Sequence, residues 1–123
     1  MLLDLKNQFI KFKVILFLKS WYFNYKAASL DLYGDDSLLK NPDQVASNDK
    51  ISWAVSFWFW KANVHSNGDV MRGYFGASTK IINGGLECNG ANTYIAKRRY
   101  TLYVSVLKAF NINEAPIESG CYN

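Results

Sequence analysis

A chain of 123 residues that is 50% hydrophobic is long enough for one compact domain, which is the default expectation. Its 14 basic and 10 acidic side chains give a net charge of +4, but apart from Arg98 and Arg99 the basic groups are scattered and no nucleic-acid-binding module accompanies them, so nucleic acid is not expected as a partner. Four Trp, eight Tyr and eight Phe supply flat rings that suit a packed core or a sugar-stacking cleft, and composition does not choose between these.

At the N-terminus, the apolar run at residues 14–18 is flanked by Lys11, Lys13 and Lys19 and is too short to span a bilayer. It also lacks the uninterrupted core and small-residue cleavage site of a signal peptide. Residues 30–40 read as a loop or short turn, because Gly34, Asp35 and Asp36 supply flexible, polar turn chemistry. Asn41-Pro42-Asp43 then joins a cap, a first-turn proline and an early acid, so a short helix is expected to start there. Asn48 or Asp49 caps a second helix over residues 50–61, whose Ile51, Trp53, Val55, Phe57, Trp58, Phe59 and Trp60 leave almost no polar face. A helix that is apolar all round is expected to be buried.

Residues 65–73 have the composition of a surface loop, with His65 solvated in it. A short helix over residues 78–82 is expected to stop at Gly84 and Gly85, which adopt left-handed backbone easily. The last helix is the clearest, since Ile95, Leu102, Tyr103, Val106, Leu107 and Phe110 recur at helical spacing behind a cap at Asn92 or Thr93. Arg99 sits inside that apolar stripe. An unpaired buried guanidinium costs several kcal/mol, so a carboxylate should meet it or the group should face a wet cleft. Glu87 is the preferred partner, with Asp31, Asp35, Asp36 and Asp43 left open.

No repeat, heptad run or persuasive strand alternation appears, and the fold class is expected to be mainly α. Walker, dinucleotide and nucleophile-elbow motifs are lacking, and a single His without a Cys/His cluster cannot build a zinc site, so no cofactor or metal is expected. Cys88 and Cys121 are compatible with one disulfide or with two separate thiols.

Three stretches carry a family resemblance: Leu38-Leu39-Lys40-Asn41-Pro42-Asp43-Gln44-Val45-Ala46, Trp58-Phe59-Trp60, and Ile81-Ile82-Asn83-Gly84-Gly85-Leu86-Glu87-Cys88. Together with Ser20-Trp21-Tyr22-Phe23-Asn24-Tyr25 and the closing Gly120-Cys121-Tyr122, they resemble the chitinases of glycoside hydrolase family 19 in order and spacing. The resemblance runs from Ser20 to Tyr122, which makes residues 20–123 a partial catalytic domain and leaves residues 1–19 as an unmatched segment.

The resemblance implies a lysozyme-like chitinase fold, incomplete and limited to its C-terminal lobe, and a secreted, extracellular protein that cleaves β-1,4-linked N-acetylglucosamine in chitin with inversion. Inversion takes two carboxyl groups about 6.5 to 9.5 Å apart, one giving a proton to the leaving oxygen and the other activating water. In the family both are glutamates upstream of the Ser20 block, and the 19 residues available there hold one acid, Asp4, and nothing similar to the catalytic stretches. The pair is therefore expected to be missing and the chain to be inactive alone.

What the resemblance carries over is the supporting half of a cleft. Ser20 matches a serine that positions water, and Asn24 and Asn83 match asparagines that hydrogen-bond the sugar. Glu87 and Arg99 match an ion-pair network leading to the catalytic acid, and Cys88 and Cys121 match the family's last disulfide. Leu18 and Phe23 depart from the family's substrate-contacting Gln and Tyr, which weakens the expected sugar site. A non-catalytic remnant that holds chitin oligomers is the alternative reading, and a poorly covered, unstable half-fold is a third.

Overall fold

The computed structural model describes residues 22–123, so the expectations placed on Leu18, Ser20 and residues 1–19 lie outside the described residues. The described chain is mainly helical and falls into two compact units that meet in sequence between Ala62 and Asn63. Among the described residues there is no strand, only an isolated parallel bridge between Tyr74 and Ile117.

The first unit holds α1 (Tyr22–Tyr33), α2 (Ser37–Lys40), α3 (Gln44–Ser47) and α4 (Asp49–Phe59). Residues 30–40 are therefore not a loop. Leu30 to Tyr33 complete the last turn of α1, the Gly34 amide donates to the Leu30 carbonyl at 2.9 Å, and the Asp35 carboxylate accepts the Ser37 amide at 2.9 Å to start α2. Three turn-forming residues in a row mark only the bend between two helices. The next helix begins at Gln44 rather than Asn41, because Asn41 takes a non-helical backbone (φ −138°, ψ 77°), the helical region being disfavoured before a proline, and Pro42-Asp43 form a tight turn first.

Tyr25, Ala28, Leu38, Val45 and Val55 make the core of this unit, with Leu32, Leu39, Ile51, Trp58 and Phe59 packed around it. The buried Ser29 hydroxyl accepts the Leu38 amide at 3.0 Å, which satisfies a donor that the short helix α2 leaves without a helical partner. Asn48 caps α4 as expected, its Oδ1 accepting the amides of Lys50 at 3.0 Å and Ile51 at 3.3 Å. The expected all-round burial of α4 is not found. Only Ser52 and Val55 are buried, while Phe57 is 64% exposed and stacks on Trp53 at 5.7 Å. A helix buries the stripe its neighbours cover, and composition says nothing about how many neighbours there are.

A π-helical turn, Trp60–Val64, leads into the second unit, which holds α5 (Gly68–Met71), α6 (Phe75–Glu87), a 3-10 turn (Gly90–Asn92) and α7 (Thr93–Ala109). Residues 65–73 thus contain a helix where a loop is expected from composition. Asn67 starts it, its Oδ1 accepting from Asp69 N at 2.9 Å and Val70 N at 3.2 Å. The expected helix over residues 78–82 is likewise longer at both ends. Helix α6 passes through Gly84 and Gly85, and the break falls instead at Asn83 (φ −154°, ψ 33°).

Helix α7 ends as the helical spacing predicts. Asn111 turns left-handed (φ 54°), and the amides of Asn111 and Ile112 donate to the carbonyls of Lys108 and Leu107 at 3.2 and 2.9 Å. At its start the side chain of Asn92 makes no cap bond; the Thr93 hydroxyl donates to the Gly90 carbonyl at 3.3 Å instead. Phe75 stacks on Tyr103 at 4.5 Å and lies 5.9 Å from Tyr100, joining α6 to α7.

Candidate functional site

Glu87 closes α6 and is almost wholly buried, its side chain 3% exposed. Its carboxylate is the acceptor of a fork from α7: Arg99 Nε donates to Oε2 at 2.6 Å and Nη2 to Oε1 at 2.9 Å. Such bidentate, charge-assisted geometry fixes both side chains at once. The stripe position that makes Arg99 anomalous in the sequence thus finds its carboxylate, and it is the preferred partner, Glu87.

The same carboxylate holds Asn83. Its Nδ2 donates to Glu87 Oε1 at 2.8 Å, across one turn of chain at the bend in α6. An ionised carboxylate only accepts, so Asn83 must turn its NH2 toward Glu87, and its carbonyl oxygen points away. The half-buried Asn83 amide is therefore oriented before any ligand arrives. Three residues expected at the site, Asn83, Glu87 and Arg99, are brought together by one polar network.

Asn24 lies half-buried on α1 in the first unit, and Ser20 is outside the described residues. In that unit the Trp58 indole N–H donates to Asp31 Oδ2 at 2.7 Å, tying the aromatic block of α4 to α1. Asp31 is named above only as a possible partner of Arg99. Its actual role is legible in hindsight from chemistry, because a half-buried indole needs an acceptor and Asp31 shares a helix with the core residues Tyr25 and Ala28.

Cys88 and Cys121 are joined by a disulfide with a Cα to Cα distance of 4.9 Å. It binds the C-terminal segment to the end of α6, where the Tyr122 hydroxyl bonds the Glu118 carboxylate and Lys97 lies 5.5 Å from the centre of the Tyr122 ring. A shallow polar depression beside the disulfide is lined by Asn67, Asp69, Lys80 and Asn123 among others, and no group of metal-ligating residues occurs among the described residues. No helix among them is long and apolar enough to cross a membrane.

The mainly helical architecture of the described residues is that of part of a lysozyme-like chitinase fold. No protein-family model matches the chain. It is 39% identical over 94 residues to Chitinase 4 of Oryza sativa subsp. japonica and 42% identical over 93 residues to Acidic endochitinase SP2 of Beta vulgaris. Each match covers 76% of this chain, which spans about a third (31%) of the length of those relatives. The crystal structure of a family GH19, class IV chitinase from Zea mays superposes with a TM-score of 0.67 at 33% identity, over 82% of this chain and 47% of that one. By sequence and fold the chain belongs to the chitinases of glycoside hydrolase family 19, of which it represents a part.

Proposed function

We propose that residues 20–123 are the sugar-positioning part of an endochitinase that hydrolyses β-1,4-linked N-acetylglucosamine in chitin with inversion, residues 1–19 standing outside that domain. The observation that carries this reading is the Asn83 amide, oriented by Glu87 and through it by Arg99. An amide fixed on one side by a carboxylate offers its carbonyl oxygen and second N–H to a ligand, which suits the hydroxyl and acetamido groups of N-acetylglucosamine. Asn24 is assigned a second sugar contact and Ser20 the positioning of water.

Inverting hydrolysis needs a proton donor and a water-activating base on opposite sides of the bond. Glu87, the family's matched glutamate in this stretch, is committed to Arg99 and buried, so it serves as support and not as either of the pair. These 123 residues alone are therefore expected to turn over chitin poorly. A soluble chitin hexamer incubated with the purified chain tests this, because turnover at the rate of a full-length family enzyme contradicts the assignment of Glu87 and the missing pair.

A second reading, a non-catalytic module that holds chitin oligomers, draws on the same oriented amide. Calorimetric titration with chitin trimer separates the two from a chain that does neither: saturable heat that Asn83→Ala abolishes supports sugar binding at this site. Absence of binding at millimolar sugar dismisses both. The disulfide fits an oxidising compartment, in keeping with secretion, and neither a membrane nor a nucleic acid is assigned as a partner.

A further inference from the structure

The C-terminal segment meets α6 at both of its ends. The carbonyls of Ile117 and Ser119 accept the amides of Phe75 at 2.9 Å and Gly76 at 3.1 Å, so main chain from the tail satisfies two donors that a helix start leaves open. Contact there is too close for a side chain. A Cβ on Gly76 would lie 2.6 Å from the carbonyl oxygens of Glu118 and Ser119 and 2.8 Å from the amide of Cys121. Gly120 answers from the tail, with φ +111° and room for no Cβ beside Ala77. One residue further, at Cys121, the tail is bonded to Cys88, just past the other end of the helix.

These contacts bound the shape of α6. Chaining the 2.8 Å Gly76 contact, the covalent bonds beside it and the 4.9 Å Cα separation of the disulfide puts the Cα atoms of Gly76 and Cys88 no more than about 11 Å apart. Twelve steps of straight α-helix would hold them about 18 Å apart. The chain therefore folds back between them, and the non-helical residue in that interval is Asn83.

We infer that residues 117–121 and the Cys88–Cys121 disulfide form a clamp across the two limbs of α6 that sets the bend at Asn83 and so holds its amide against Glu87. Residues 117–121 are thus positioning residues for Asn83, acting through backbone bonds and one covalent link. Opening the disulfide releases the limbs, which makes the orientation of Asn83 sensitive to thiol reductants. The consequence for sugar affinity rests on the reading of Asn83 given above; the clamp itself does not.

The test uses the isotope-labelled full chain and dithiothreitol. This dithiol breaks the S–S bond by exchange, gives its two hydrogens to Cys88 and Cys121 as thiols, and is itself oxidised to a cyclic disulfide. The two Nδ2 protons of an amide differ in chemical shift because its C–N bond rotates slowly, and in the oxidised protein the bond of one of them to Glu87 is expected to widen that separation. Reduction is expected to shrink that separation at least twofold and to speed exchange of the Phe75 and Gly76 amides at least tenfold, while amides in the middle of α7 keep their protection. Gly76→Ala, with its disulfide closed, is expected to do the same, because the added Cβ pushes the tail away.

Unchanged Asn83 signals in both samples overturn the clamp. Should reduction also strip protection from α7, the oxidised Gly76→Ala protein decides, with the same criterion. Chitin trimer titrated into each sample separates this inference from the function it serves. A moved Asn83 without any sugar binding in the oxidised chain sinks the sugar reading and supports the clamp. Equal sugar affinity before and after reduction with an unmoved Asn83 does the reverse.

Discussion

Helices α4 and α6 are near equals in length, 11 and 13 residues, yet they are built on opposite principles. Helix α4 is mostly aromatic and aliphatic, begins at an Asn cap, and leaves most of its apolar residues only half-buried, with Phe57 exposed. Helix α6 holds three glycines, a bend and a buried glutamate, and all of its residues from Gly76 to Thr79 are buried. Apolar content made the first helix easy to anticipate and misleading about burial. In the second, polar satisfaction and close main-chain contacts decide the shape, and those come from residues remote in sequence.

The comparison breaks most sharply at Glu87. Glu87→Ala removes the acceptor of two guanidinium bonds and of the Asn83 amide, and a loss of about 3 to 5 kcal/mol in unfolding free energy is expected from urea denaturation. Glu87→Gln, which keeps an acceptor oxygen, should lose less. Removing the disulfide comes next. A link between residues 33 apart is worth roughly 3 to 4 kcal/mol by the loop-closure argument, and a Cys88→Ser, Cys121→Ser protein should show that deficit in the same measurement.

On the side of α4, the expected effects are smaller. Asn48→Ala removes one cap that bonds two amides and should lower stability by about 1 kcal/mol, with Asn48→Asp restoring most of it. The smallest effect sharpens the contrast by pH. Burial, helped by the charge of Asp43, raises the Tyr25 phenol above its ordinary value of 10.0, so the folded state keeps a proton that the unfolded chain releases. Stability from Tyr25 is thus complete below about pH 10 and falls as pH rises toward the folded value. Tyr103 is raised for the same main reason, so tyrosinate absorbance followed alongside alkaline unfolding should show both phenols ionising late in the native state.

Much of the fold was legible. Hydrophobic spacing located α7, Asn48 announced α4, and Arg99 inside an apolar stripe demanded a carboxylate that proved to be Glu87. Other features needed information that no local window holds. Gly84 and Gly85 look like a helix stop, but glycine ends a helix only when it takes a left-handed turn, and here the break moved to Asn83. The bonds from Ile117 and Ser119 to the start of α6 join main-chain atoms, which leave no trace in side-chain identity. Only Gly76 and Gly120 hint at them, as positions where two backbones touch.

The bond between Trp58 and Asp31 has a practical corollary. All tryptophans of the chain, at positions 21, 53, 58 and 60, fall before residue 62, whereas Tyr74, Tyr94, Tyr100, Tyr103 and Tyr122 follow it. Indole emission, quenched or shifted as the Asp31 contact opens, is consequently a native optical probe of one half of the polypeptide. The stacked Phe75 and Tyr103 rings lie in the other half, which carries no tryptophan, so the indole signal follows the first half alone without attaching a dye.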